Sequence, residues 1–472
     1  MFKVFGCWNI CFQKRILINH CLLLFIFISI IIVNMNNEKY TRNLELSDLF
    51  FAGFGFIIGA GIFTLMPLII KYGRGSSWLS FVIGGLICLL TGLSYAKLNQ
   101  EYPSNDAEYS WIYQILNFNK PDEEGNRKKP NWGVISLANA IIWIVMIIGL
   151  FNTATVAVGL SSFIKQYINI PKTLIVALSI AFPSLINVLG NKYSTLFNKG
   201  IMSVVVSSFV VLMMLAGVKG KNFGENSLMP KSSDLSGIFR SSFITIFAYN
   251  GFQSIVQLSE EAKNVADIPK GIYASIGAST TLYALIAISV ISLLGINGAS
   301  TSVNPIASAI GTILPNSNLA YNIMNTLSSV ALVNTLMLTI LSRSRLLQKL
   351  SVRGLAPKFF SKLTNVGELL GLEHFKNDKN NEKITIPIFA IIAVAIVSFA
   401  LTFVKEGAIE SLATITNSFI FIVFVIVHML VLISHHKNKS DKNNKKTEKY
   451  PWYALAGTAL SVVYLIKSFS YQ

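Results

Sequence analysis

Charge is scarce in this chain. Only 13% of its 472 residues are Asp, Glu, Lys or Arg, where a soluble domain carries about 25%. Acidic residues are absent from the middle of its long apolar runs, and no hydrophilic connection exceeds about forty residues. That leaves no room for a separate soluble signalling domain. Cysteine is equally sparse. Cys7, Cys11 and Cys21 lie near the start and Cys88 lies inside an apolar run, which gives neither a disulfide framework nor a metal-ligand spacing. Of five histidines, His435 and His436 adjoin a lysine-rich stretch and only His428 falls inside an apolar run. A histidine at that depth serves either a proton pathway or a hydrogen-bonded joint between helices. No apolar run carries a His/Asp/Ser set or a ligand cluster. An enzyme is therefore excluded, and no catalytic residue, cofactor or metal is expected.

What the chain has in abundance is apolar length. Hydrophobic residues make up 53% of it, gathered in blocks such as Ile135–Val158, Ile201–Gly217, Ile384–Phe403 and Ser411–Ile433. Each approaches or exceeds the roughly 20 residues that a helix needs to cross about 30 Å of hydrocarbon. Eleven membrane helices are expected, near 46–70, 77–96, 134–163, 173–190, 199–217, 238–258, 271–295, 320–342, 384–404, 411–433 and 452–468. The expected fold class is all-α integral membrane. A net charge of +17 invites a nucleic-acid reading, but its placement argues against one. The connections 97–133, 190–199, 259–270, 343–384 and 434–450 hold 24 Lys and Arg, against 8 in the opposite set. Such asymmetry marks the first set as cytoplasmic.

The first 34 residues stand apart. Ile16–Val33 is an apolar run behind Lys14 and Arg15 that resembles a signal sequence or an extra span. As a signal it lacks a clear small-residue cleavage site, and as a twelfth span it would place those charges on the wrong side. Met35 opens a polar lead into the first span, so a start there is expected to suffice for transport. The chain divides into an N-terminal segment (1–45), two five-helix units (46–217 and 218–433) and a basic loop with a final helix (434–472).

The chemistry concentrates in Gly53–Phe63, GFGFIIGAGIF. Glycine costs a helix on the order of 1 kcal/mol relative to alanine, and four occur here in nine residues. Gly55 and Gly59 form a GxxxG pair suited to close helix packing. Gly59-Ala60-Gly61 adds a run with almost no side chain over its amides, and a helix broken there aims free N–H groups at a carboxylate. A second break is expected at FAYNGF (247–252), because transporters built of inverted repeats interrupt corresponding helices in both halves. Two unrelated glycine-containing helices in a packed bundle are the plainer alternative. Broken helices would meet both ends of a zwitterion: amides near Ala60–Ile62 take a carboxylate, and carbonyls near Ile57, Ile58, Phe247 and Ala248 take an ammonium.

These motifs resemble those of the amino acid–polyamine–organocation (APC) superfamily of permeases. The matching stretches are GFGFIIGAGIF, FAYNGFQSIVQLSEEAKNVADIPKGI (247–272), SRSRLLQKLSVRGLAPKFF (342–360) and, more weakly, LSYAKLNQEYPSNDAEYSW (93–111). The resemblance implies two inverted five-helix repeats with discontinuous first and sixth helices. It implies a carboxylate site at Gly59, Ala60, Gly61 and Ile62, and an amine site at Ile57, Phe247 and Ala248. Phe247 would also be the aromatic gate over the substrate. Lys97, Asp106-Ala107 and Val265 depart from the superfamily's usual residues. Val205 and Val206 stand where some proton-coupled members carry a lysine. KQYINIPK (165–172) lacks the cysteine that some relatives join to a glycoprotein, so no disulfide-linked heavy chain is expected. Glu260 and Glu261 offer a cytoplasmic latch, and Arg343 and Arg345 read as orientation anchors closing span 8. Thr339 and Ser342 offer hydroxyls to a sodium ion, or bond their own backbone.

The expected function is secondary transport of amino acids, with membrane lipid as surroundings and the plasma membrane as location. Exchange or proton coupling is favoured over sodium. A polyamine or organic-cation permease and an amino-acid-sensing receptor on the same scaffold are the alternatives. The first would want an acidic pocket, and the second a signalling domain.

Overall fold

The computed structural model describes residues 42–104, 106–116, 132–188, 191–220, 228, 234–259, 261–313, 317–365, 385–403, 409–440 and 449–469. Ile16–Val33, Met35 and Glu260 lie outside the described residues. The helices are α1 (Leu46–Ile57), α2 (Ala60–Thr64), α3 (Met66–Gly73), α4 (Ser77–Glu101), α5 (Ala107–Leu116), α6 (Trp132–Ile164), α7 (Lys172–Val188), α8 (Asn191–Lys219), α9 (Leu235–Tyr249), α10 (Asp267–Thr301), α11 (Pro305–Gly311), α12 (Ser317–Val352), α13 (Ile388–Leu401), α14 (Ile409–Ser440) and α15 (Trp452–Ser468). Among the described residues, the paired β-structure is one two-residue ladder, Thr364–Asn365 against Thr385–Ile386, and an isolated bridge between Leu44 and Ala262. Among the described residues, seven helical stretches are long and apolar enough to cross a membrane. Lys172–Val188 and Ile388–Leu401 are shorter apolar helices.

Helices dominate because hydrocarbon offers no partner to a backbone amide, and a helix satisfies its own. The outward faces agree. Leu174, Leu178, Phe182 and Leu185 of α7 lie on one face, each about half exposed, at the three- and four-residue spacing of a single stripe. Leu455, Val462 and Ile466 repeat this on α15. Apolar stripes left uncovered by protein are lipid-facing in a chain of this composition. Toward the centre, α10 packs on α1 and α4, α9 on α4, and α12 on α6 and α7. The broken stretches α1–α2 and α9 are walled by these neighbours.

His428 settles between the two readings of its sequence position. Its ring bonds Thr91 at 3.1 Å through Nε2 and Ser94 at 2.8 Å through Nδ1, fully buried. Both nitrogens are engaged, so the residue ties α14 to α4. Gly457 of α15 lies so close that a Cβ there would run into the imidazole. Replacing Gly457 with Leu should therefore lower stability by about 1–3 kcal/mol through overpacking. The check is the melting temperature of the detergent-purified protein, expected to fall by several degrees.

Candidate functional site

The first span breaks at Ile58–Gly59. α1 ends at Ile57, Ile58 turns to extended backbone (φ −77°, ψ 95°), and α2 restarts at Ala60. The sixth span breaks at Asn250–Gly251: α9 stops at Tyr249, Asn250 is extended, and a 3-10 segment runs over Phe252–Leu258. Local chemistry explains the second break. Gly251 holds φ 128°, a conformation that glycine alone adopts without penalty. The Gln253 side chain donates to Asn250 Oδ1 at 2.6 Å and accepts from the Gly251 N–H at 3.1 Å. That side-chain loop replaces the helical hydrogen bonds lost there.

The two breaks interlock. A Cβ at Gly61 would collide with the Ala248 backbone, and one at Gly251 would press on Phe56. Each broken span thus seats a glycine against the end of the other. The freed carbonyls find partners in flanking helices. Tyr283 of α10 donates to the Ile57 carbonyl at 2.6 Å and lies 3.5 Å from that of Ala248. Thr335 of α12 reaches the carbonyls of Gly55 and Ile58, each at 3.1 Å. A side chain at Gly59 would collide with this threonine. A carbonyl has two lone pairs, so Ile57 and Ala248 keep capacity for a second donor.

One side of the breaks is closed by charged groups. Arg345 forms a salt bridge with Glu261, both almost wholly excluded from solvent. Arg343, two turns beyond Thr335 on α12, donates to the Val145 carbonyl of α6 at 3.0 Å and to Ser254 Oγ at 2.8 Å. Arg353 pairs with Asp106, donating through Nη2 at 3.1 Å. The lead into α1 joins in: the N–H groups of Asn43 and Leu44 donate to the Glu261 carbonyl at 3.0 Å, and Lys263 N–H returns to Leu44.

Comparison with known proteins supplies the family. Residues 44–471 match the family described as amino acid permease. The chain belongs to this family. It is 27% identical over 274 residues to the methylthioribose transporter of Bacillus subtilis, covering 52% of this chain and 54% of that protein. It is 24% identical over 422 residues to the vacuolar cationic amino acid transporter 4 of Arabidopsis thaliana, covering 85% and 65%. With the branched-chain amino acid permease of Bacillus subtilis it shares 28% over 279 residues, covering 54% and 55%. The matches span between about half and two thirds of these relatives' lengths. Family and relatives are transporters, and no enzyme is among the relatives named here.

Of the permease residues singled out by sequence, Ile57, Gly59, Gly61, Ile62, Phe247 and Ala248 sit at the interlocked breaks. Ala60 opens α2 there. Ile62 and Phe247 are buried, and the Phe247 carbonyl accepts from Asn250 N–H at 3.1 Å. Thr339 hydroxyl donates within its own helix, to Thr335 O at 2.9 Å, and Ser342 donates to Gln257. The α12 hydroxyl that meets the span 1 carbonyls is Thr335, one turn earlier. Arg343 and Arg345 are not anchors at a span end: α12 runs on to Val352, and both are buried. The apolar run stops near Ile340, but the helix continues because acidic and carbonyl partners from other segments meet its arginines. Sequence reading also passed over Tyr283, whose hydroxyl is the polar tip on a long apolar helix. Because a Cβ at Gly61 meets the Ala248 backbone, Gly61→Val disrupts packing whatever else the glycine does. Tyr283→Phe is the cleaner probe. It should cost about 1–2 kcal/mol, read as a lower melting temperature, and slow transport measured in proteoliposomes.

Proposed function

We propose that this permease moves amino acids across a membrane as a secondary transporter, by alternating access between two inverted five-helix repeats (46–217 and 218–433) whose first helices are both broken. The observation that carries this reading is the convergence of both breaks, with the Ile57 and Ala248 carbonyls directed at one tyrosine hydroxyl. Irregular backbone at membrane depth persists only where protein or a cavity satisfies it. Here it brings together donors and acceptors suited to a zwitterion. The amides of Gly59, Ala60, Gly61 and Ile62 would take the carboxylate, and the carbonyls of Ile57, Phe247 and Ala248 the ammonium. Phe247 would close over the bound substrate. No buried ionic side chain is needed at the substrate itself.

Release on the other side requires the charged closure to part. Glu261 with Arg345 is its latch, and Glu260 belongs to the same pair in sequence. Charge asymmetry places this closure on the cytoplasmic side. Relatives include proteins named as vacuolar and mitochondrial, and the plasma membrane is the location that we infer here. Fractionation of cells expressing the tagged protein tests it, with recovery in an internal membrane as the contrary result.

Labelled amino acids offered to proteoliposomes test the function. A saturable uptake competed by unlabelled substrate is expected, and preloaded amino acid should accelerate it. Methylthioribose belongs in the panel because a relative carries it, and so does a polyamine. Uptake of these with no amino acid uptake would reassign the substrate class. Strict dependence on external sodium, lost in Ser342→Ala, would assign Thr339 and Ser342 to an ion site instead of exchange or proton coupling.

A further inference from the structure

The closure contains a buried carboxylate with one oxygen unengaged. Glu108 of α5 is buried, its Oε1 accepts from the Tyr95 hydroxyl at 2.9 Å, and its Oε2 has no hydrogen-bond partner among the described residues. Arg343 is its counterpart. The guanidinium donates to Val145 O and Ser254 Oγ, while its Nε has no such partner among the described residues. Both residues line one small cavity, with Tyr95, Gln253 and an apolar wall including Val145 and Phe424. Two other arginines of the α12 end are bonded directly to carboxylates, Arg345 to Glu261 and Arg353 to Asp106. Among the described residues Arg343 is bonded only to neutral oxygens, and Glu108 is the acid that shares its cavity.

An isolated buried charge is costly unless compensated. With Glu108 ionised, Arg343 and Glu108 together are neutral. With Glu108 protonated, the cavity holds a guanidinium with no counter-charge. Arg343 is also a tie of the closure, since it binds α12 to α6 and to the 3-10 segment of the sixth span. Along α12 it lies about 12 Å beyond Thr335 at 1.5 Å per residue, between the breaks and Arg345.

We propose that Glu108 is the proton-binding group that couples transport to a proton gradient, its protonation loosening the Arg343 tie. The inference rests on the transport reading above. One proton from water on the substrate-entry side adds to the Glu108 carboxylate and makes the carboxylic acid. Arg343 loses its counter-charge, and the closure parts. The proton then leaves to water on the release side, and the carboxylate re-forms. Among the described residues, the groups that face Glu108 are few. Tyr95 comes from α4, Arg343 from α12 and uncharged Gln253 from the sixth span. α6 and α14 contribute apolar side chains to the cavity, and His428 of α14 is bonded to Thr91 and Ser94 of α4. Asp106 precedes Glu108 on the same segment but is tied to Arg353. Glu261 is likewise bonded to an arginine, Arg345, whereas Glu108 Oε2 has no hydrogen-bond partner among the described residues.

The test uses the whole chain in proteoliposomes with labelled alanine, leucine and lysine. An acid-outside gradient of about one pH unit supports up to about tenfold accumulation at one proton per substrate, one unit being about 1.4 kcal/mol. Wild-type protein should approach that ratio. Glu108→Gln should lose accumulation yet retain counterflow into preloaded vesicles, and Glu108→Asp should recover part of the accumulation. Accumulation by Glu108→Gln at the wild-type level, or wild-type counterflow without any proton-driven accumulation, overturns the proposal and leaves the transport reading intact. Counterflow absent for all three amino acids in wild type sinks the transport reading and the coupling with it. Infrared difference spectra of the purified protein between pH 8 and pH 5 give a readout independent of transport. A carboxylic-acid band should appear in wild type, vanish in Glu108→Gln and shift in Glu108→Asp. The same band in all three proteins overturns the assignment to Glu108.

Discussion

Hydrocarbon has nothing to offer an unpaired amide or carbonyl, and the structure is arranged around meeting that demand wherever a helix stops short. At most positions the helix meets it alone. At Ile58–Gly59 and Asn250–Gly251 it does not, and everything nearby compensates. Tyr283 and Thr335 carry hydroxyls to the freed carbonyls of the first span. Asn250 and Gln253 close a side-chain loop over the second break. Glycines at 59, 61 and 251 let backbones approach where a Cβ would not fit. The same backbone groups that make the break costly are those suited to hold a small polar ligand.

The charged layer beside the breaks follows from the same economy of polar groups. A chain with so few charged residues nevertheless gathers three arginines near one end of α12: buried Arg345 with Glu261, buried Arg343 with the Val145 carbonyl and Ser254, and the more exposed Arg353 with buried Asp106. Removing one partner of such a buried pair is far more costly than the pair is stabilising. Arg343 with Val145 and Arg353 with Asp106 join residues of 218–433 to residues of 46–217, whereas Glu261 and Ser254 lie in the same stretch as the arginines that they meet. Some departures from the superfamily's usual residues fall in this layer. Asp106 supplies the partner of Arg353, and Lys97 pairs with Glu101 on α4 at 3.0 Å.

By itself, the sequence determined the class of the molecule and the places where its helices are interrupted. Apolar length dictates membrane helices whatever they pack against, and glycine runs weaken a helix by a local backbone cost, so both breaks were readable from GFGFIIGAGIF and FAYNGF. Charge asymmetry acts over single connections and was equally legible. Tertiary structure alone decided which groups meet. Tyr283 lies 226 positions from Ile57, and Thr335 lies 280 from Gly55. Nothing local distinguishes either residue from a hydroxyl that donates within its own helix, as that of Thr339 does. Arg343 and Arg345 follow an apolar run and so resemble anchors in lipid headgroups. Only the approach of Glu261, Ser254 and α6 makes their burial tolerable, because a buried charge depends on partners that sequence separation conceals.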